Sequence, residues 1–103
     1  MFIIVLITAA NKKEASRIAA KLLKEKLVAC VNVVGKISSF FWWQGKIDNA
    51  GEYLLLVKSK KGKFASIVKL VKSLHSYETP EIIAVPVIAG EKKYLGWIDE
   101  SLG

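Results

Sequence analysis

The residues best suited to chemistry lie in one short segment, between positions 75 and 81 of the chain. This segment brings together the only histidine, His75, a phenol at Tyr77 and carboxylates at Glu78 and Glu81. Imidazole is a common metal ligand and carboxylates suit harder cations, so His75 and Glu78 are the predicted metal ligands. The alternative role for His75 is structural, because a histidine at the end of a helix can bond the last carbonyl groups.

A second kind of site is predicted around Lys58, where a predicted strand leads towards a predicted helix and three further lysines follow. Backbone N–H groups and the helix dipole attract anions at such a place. Lys58, Tyr77 and Glu81 are therefore predicted to line a ligand cleft. No Walker or Rossmann glycine pattern accompanies them.

The single cysteine, Cys30, excludes an intrachain disulfide and a CxxC metal site. It lies between Ala29 and Val31 in a predicted core strand, where a cysteine usually behaves as a small hydrophobe. The alternatives are a metal ligand and a redox thiol. A nucleophile pair with His75 would need a third residue to orient the base, and none is recognisable. The sequence therefore predicts that the protein is not an enzyme.

The charge balance is strongly basic, with 16 Lys and Arg against 9 Asp and Glu and a net charge of +7. Such a charge favours phosphate contacts, but Arg17 is the only arginine and leaves little capacity for bidentate recognition. A lysine-rich composition is common in heat-stable proteins. We therefore predict a thermostable protein with a solvated lysine surface and no nucleic-acid partner.

An aromatic cluster, Phe41, Trp42 and Trp43, lies at the outer end of the longest predicted strand. Aromatic rings can stack on nucleic-acid bases, but the third predicted strand lacks the RNA-recognition signature. Tryptophan is enriched where protein subunits meet. These three residues are therefore predicted to form an oligomer interface.

Hydrophobic periodicity predicts the elements that position these residues. The predicted strands are 2–7, 28–43, 52–60 and 81–89, with a turn over 44–51 before the third strand. One helix is predicted to begin after the N-cap Asn11, and two further helices cover 63–74 and 92–101. The order βαββαβ with a tail predicts a single α+β, ferredoxin-like domain over residues 1–103, with a long hairpin and a short C-terminal helix.

Two features of these elements favour a partner. The second strand would span roughly 54 Å at about 3.4 Å per residue, so it must bend at Gly35 or project beyond the domain. The two central strands are apolar on both faces, whereas the helices cover only one face. The first strand is far shorter than the roughly 20 residues that cross a bilayer and has no basic segment before it. The sequence therefore predicts a cytoplasmic oligomer with no membrane contact.

Four sequence blocks carry a resemblance to a known family. They are Ala29–Asn32 (ACVN), Ile37–Ile47 (ISSFFWWQGKI), His75–Ile83 (HSYETPEII) and Tyr94–Ile98 (YLGWI). In this order they resemble the CutA divalent-cation tolerance family. The resemblance implies a cytoplasmic homotrimer of ferredoxin-like subunits, related in architecture to PII-type signalling proteins and associated with tolerance to copper and other divalent metals. It implies no established enzymatic reaction.

The resemblance also sets the expected ligands. Copper(II) or another divalent cation is expected, and the alternative function is a PII-like sensor that binds a small molecule or anion between subunits. Members proposed to bind copper carry a cysteine at the place of Ile7 and a second histidine at that of Leu74, and both positions are apolar here. Oxygen ligands would therefore favour a harder ion. The family commonly has proline where Ser76 stands, so the loop is expected to be less rigid.

Overall fold

The structure, a computed structural model, describes residues 1–103. Its strands are β1 (Phe2–Ala9), β2 (Cys30–Trp43), β3 (Lys46–Lys60) and β4 (Ile82–Pro86), and its helices are α1 (Lys12–Lys24), α2 (Phe64–Leu74) and α3 (Lys92–Leu102). None of the helices has the length and apolar character needed to cross a bilayer. The elements follow the predicted order, and the α+β, ferredoxin-like fold is confirmed.

One antiparallel sheet has the strand order β2-β3-β1-β4. The first and third strands are therefore central, as the sequence predicted. Strand β4 forms an edge and ends at Pro86, which has no N–H group to donate to a ladder. It is shorter than the predicted strand 81–89, although the Val87 N–H still donates to the Phe2 carbonyl oxygen at 3.0 Å.

The core lies between one face of the sheet and helices α1 and α2. Strand β1 contributes alternate residues, and its Val5 and Ile7 are completely buried. The other large side chains that are completely buried in this layer are Ile18, Leu22, Val28, Leu55, Val57, Ile67 and Val71. Helix α1 begins at the predicted cap, where the Asn11 side chain accepts a hydrogen bond of 2.8 Å from the Glu14 N–H.

The opposite face of the sheet, called the open face below, is covered only in part. Helix α3 packs Ile98 and Leu102 against Ala29 there. Further along this face Val34, Ile83 and Val85 remain 42%, 51% and 39% exposed. An apolar surface this continuous is unusual for a sheet that faces water.

The hairpin between β2 and β3 turns in two residues, which corrects the predicted turn over 44–51. Gln44 and Gly45 both have positive φ, 49° and 77°, as a tight hairpin turn requires. Residues 46–51 belong to β3 and pair with β2, from Trp43 opposite Lys46 to Ser38 opposite Gly51. The ladder therefore overrides the turn-forming composition of this segment.

The outer half of the hairpin stands beyond the rest of the sheet. Strand β1 pairs with β3 only from Tyr53 to Lys60, so residues 37–52 form a two-stranded ribbon. The β2–β3 register shifts between Val34 and Ile37, at the predicted bend around Gly35. A side chain at Gly35 would overlap the Tyr53 ring, so this bend depends on the absence of a Cβ.

Candidate functional site

A groove of about 750 Å³ runs between the ribbon and the loop that follows α2. We call it the hairpin groove. Its lining residues are Thr8, Ser39, Phe40, Phe41, Trp42, Trp43, Asp48, Ala50, Glu52, Tyr77, Glu78, Thr79 and Glu81. Most known ligand pockets fall in this size range.

Strand periodicity places the ribbon's polar groups in the groove. Asp48, Ala50 and Glu52 are alternate residues of β3 and therefore share one face. Glu52 lies at the root of the ribbon, opposite Ile37, and is only 7% exposed. The groove thus has a buried carboxylate at its inner end.

Glu52 is paired with a phenol from the other wall. The Tyr77 hydroxyl donates a hydrogen bond of 2.8 Å to Glu52 Oε2. Burial of the phenol, this hydrogen bond and the negative charges of Glu52 and Glu14 together raise the pKa of Tyr77 to about 12. The neutral hydroxyl therefore stays a donor over a wide pH range.

His75 does not line the groove. Its side chain is completely buried, and its Nε2 donates to the Thr8 carbonyl oxygen at 2.7 Å. Its Nδ1 accepts the Tyr77 N–H at 3.0 Å, which fixes the proton on Nε2. Both nitrogens that a metal could use are thus engaged within the chain, and the ring bonds β1 instead of the last carbonyls of α2.

Glu14, in the first turn of α1, lies next to this histidine. Its Oε1 is 3.5 Å from His75 Nδ1, and its side chain is 6% exposed. Burial alone would raise the pKa of Glu14, but hydrogen bonds from Ser76 and Ala10 and the proximity of His75 outweigh it and lower the pKa. The carboxylate is therefore held in its charged form.

The structure brings together some of the predicted site residues and separates others. Tyr77, Glu78 and Glu81 share the groove with the aromatic cluster Phe41, Trp42 and Trp43. Lys58 lies elsewhere on the open face, paired with Ile4 and Cys30. Lys58 and His75 therefore lie outside the groove that Tyr77, Glu78 and Glu81 line.

Two residues of this region were not predicted from the sequence as site residues. Glu14 lies three positions after the predicted cap Asn11, and its contact with Ser76 spans 62 positions of the chain. Glu52 stood at the beginning of a predicted strand, where a charged residue is ordinary. The only sequence signal for Glu52 is a carboxylate immediately before the apolar run Tyr53–Val57.

The oxygen donors of the groove fit a hard divalent cation better than they fit copper or zinc. Carboxylate and hydroxyl oxygens line it, and hard divalent cations prefer such ligands. Copper and zinc favour imidazole and thiolate, and neither His75 nor Cys30 reaches the groove. Within one chain no three His, Cys, Asp or Glu side chains are grouped closely enough to hold a metal ion.

Comparison with known proteins agrees with this architecture. Residues 3–101 match the family described as CutA1 divalent ion tolerance protein. The divalent-cation tolerance protein CutA of Archaeoglobus fulgidus is 51% identical over 96 residues, which are 93% of each chain. The chloroplastic protein CutA 1 of rice is 40% identical over 99 residues, which cover 96% of this chain and 56% of that longer protein.

A solved structure shows the same likeness in three dimensions. The periplasmic divalent cation tolerance protein CutA from Archaeoglobus fulgidus superposes with a TM-score of 0.97 at 48% identity, over 100% of both chains. A small ferredoxin-like domain with a long hairpin is thus the class that fold and sequence define. The chain belongs to the CutA1 divalent ion tolerance family, which is named for ion tolerance and not for a catalysed reaction.

Proposed function

We propose that this protein binds divalent cations as a homotrimer, with the hairpin groove forming part of a cleft between subunits. A role in divalent-cation tolerance follows from its family. The observation that carries the finer proposal is the concentration of carboxylates in the groove.

The groove is acidic although the protein is basic. Four of the nine acidic residues line it, namely Asp48, Glu52, Glu78 and Glu81, and none of the 16 basic residues does. Nearby carboxylates raise each other's affinity for a cation, because their negative potentials add. A divalent cation is the small ligand that gains most from this arrangement.

The geometry favours an oxygen-ligated cation over copper. Glu78 and Glu81 are exposed and therefore free to turn towards an ion, whereas His75 is buried and bonded. A hard cation takes six or more oxygen ligands. Carboxylates from two walls of the groove supply part of such a shell, and water or a second subunit supplies the remainder.

A homotrimer explains the surfaces that one chain leaves uncovered. An isolated two-stranded hairpin is marginally stable in water, yet the ribbon extends beyond the sheet with Phe40 and Trp42 72% and 73% exposed. The apolar open face is likewise uncovered around Val34, Ile83 and Val85. Closed symmetric assembly buries both surfaces at once, and the resemblance to the CutA family implies three copies.

Calorimetric titration tests this proposal. Mn(II), Zn(II) and Cu(II) are titrated into the native protein, into Glu78→Gln/Glu81→Gln and into a control, Glu25→Gln/Glu100→Gln, whose carboxylates lie outside the groove. The groove variant is expected to bind Mn(II) about tenfold or more weakly, because cation affinity follows the number of charged oxygen ligands. Equal affinities of all three proteins would contradict the proposal.

A second candidate is a PII-like sensor of a small molecule, and the groove volume of about 750 Å³ favours it. Since no lysine or arginine lines the groove, a cationic or neutral molecule fits it better than an anion. Thermal-shift screening of metabolites distinguishes this candidate. A ligand that stabilises the native protein but not Tyr77→Phe would support it, and stabilisation by divalent cations alone would not.

The cytoplasm remains our prediction for the location of the protein. Its relative from Archaeoglobus fulgidus is described as periplasmic, which gives the alternative. Fractionation of cells followed by detection of the native chain decides between the two compartments.

A further inference from the structure

One buried carboxylate outside the groove is hydrogen-bonded to the loop that forms one wall of the groove. Glu14 belongs to the first turn of α1 and is not a lining residue. Its side chain is 6% exposed, which is rare for a glutamate without partners. Both of its oxygens accept a hydrogen bond, and the two donors lie in different parts of the chain.

The two oxygens bind two separate segments. Oε1 accepts a hydrogen bond of 3.2 Å from the Ala10 N–H, which precedes α1. Oε2 accepts one of 3.1 Å from the Ser76 N–H, in the loop after α2. The first bond is an ordinary helix-start contact. The second joins α1 to a loop 62 residues away.

From Ser76 the contacts continue into the groove. The neighbouring ring of His75 bonds the Thr8 carbonyl and the Tyr77 N–H, and its centroid lies 4.7 Å from that of Tyr77. The Tyr77 hydroxyl then reaches Glu52. Glu14 therefore stands at one end of a continuous set of contacts whose other end is the buried carboxylate of the groove.

We infer that Glu14 is a positioning residue for the hairpin groove. Its carboxylate holds residues 75–81 against α1 and β1, so that Tyr77 meets Glu52 and Glu78 faces the groove, and it thereby sets the affinity of the groove for a divalent cation. The effect of Glu14 on cation affinity rests on the proposed function, whereas its effect on the position of the loop does not.

The chemistry requires a carboxylate and not merely a polar side chain of this length. Glutamine has one acceptor oxygen and one donor group, so Glu14→Gln can satisfy Ala10 or Ser76 but not both. Glu25→Gln is the matched control, because Glu25 is exposed near the other end of α1 and contacts only Lys21, at 3.9 Å.

Amide hydrogen exchange tests the positioning role. In Glu14→Gln the amides of Ser76 and Tyr77 are expected to exchange at least about tenfold faster, while those within α1 stay protected, and Mn(II) binding is expected to weaken about tenfold. Glu25→Gln should change neither quantity. Equal acceleration throughout α1 and the loop would show that Glu14 only stabilises its helix, and unchanged loop amides would also overturn the inference.

A measurement on the native protein decides the matter if Glu14→Gln does not fold. The amide proton shifts of Ala10 and Ser76 are followed by NMR during acid titration, together with the Glu14 carboxyl carbon. One carboxylate that bonds both donors makes all three signals move with the same midpoint. Independent midpoints would overturn the inference. If the native protein binds no Mn(II), the proposed function fails, whereas the amide results still decide whether Glu14 holds the loop.

Discussion

The hydrogen bond between Tyr77 and Glu52 lies at the inner end of the groove. A buried carboxylate costs free energy unless it is hydrogen-bonded, and the Tyr77 hydroxyl is the donor that Glu52 receives, at 2.8 Å. The pair also joins the ribbon to the loop after α2. Any ligand that enters the inner end of the groove must therefore meet this pair.

Ionisation of Tyr77 gives the first prediction. Because the pKa of Tyr77 is raised to about 12, the native protein is expected to show an ultraviolet absorbance step near that pH, and Tyr77→Phe is expected to lack it. Tyr94→Phe, at a half-exposed position of α3, is the control and should keep the step. A native titration curve that Tyr77→Phe leaves unchanged would contradict the assignment.

The same shift predicts how stability depends on pH. The pKa of Tyr77 in the folded protein exceeds the value of about 10 in an unfolded chain. The neutral phenol therefore stabilises the fold fully below about pH 10, and this contribution is lost as the pH rises through about 12. Urea denaturation across this range should show a steeper loss of stability for the native protein than for Tyr77→Phe. Parallel curves would contradict the linkage.

At the scale of residues, the sequence indicated which side chains could do chemistry but not which groups they contact. The segment His75–Glu81 was identified because its side chains are chemically versatile. The burial of His75 was not predictable, because its ring is enclosed by Thr8 and Glu14, which lie more than 60 positions earlier. Local sequence carries no signal for a contact of that kind, whereas it does carry the Asn11 cap, which involves a residue three positions away.

At the scale of elements, the hairpin shows how a ladder outweighs local turn propensity. Asp48, Asn49 and Gly51 are typical turn residues, and they led to a predicted turn over 44–51. Each of them instead pairs with β2, because the period-2 pattern of β2 continues to Trp43 and needs a partner strand of equal length. The same period-2 pattern predicted a long β2, whose length required a bend at Gly35 or a projection beyond the domain, and the structure shows both.

The bend gives a prediction about stability. Gly35→Ala is expected to destabilise the protein by about 1–3 kcal/mol, because the new Cβ overlaps the Tyr53 ring, which packs against the core. Gly62→Ala is the control, since nothing lies within 4 Å of its Cβ position. Chemical denaturation measures both, and equal stability of the two variants would show that the ribbon adjusts freely at the bend.

At the scale of the whole molecule, the ribbon makes the chain elongated. The radius of gyration is 14.1 Å and the extents are 44 × 26 × 22 Å, whereas a compact domain of this length has a radius of about 13 Å. The ribbon and the uncovered open face thus both expose apolar surface. Strand length and apolar patterning predict an oligomer, which stays a prediction, and they do not indicate which surfaces would meet.

The aromatic end of the ribbon provides a test of assembly. Trp42 is 73% exposed in one chain, so Trp42→Ala would be nearly neutral for an isolated subunit. At an interface the same change is expected to cost about 2 kcal/mol or more of association free energy. Leu23→Ala, 43% exposed on the helical side, is the control. Sedimentation velocity over a concentration series compares them, and identical association would place Trp42 outside the interface.

The mass of the native protein in solution tests the central claim most directly, because the cation site is proposed to lie in a cleft between copies of this chain. Light scattering of the eluting peak during size-exclusion chromatography gives that mass without a shape assumption. We expect three times the chain mass of 11.4 kDa. A mass of 11.4 kDa that persists at high protein concentration would contradict the homotrimer and the cleft together.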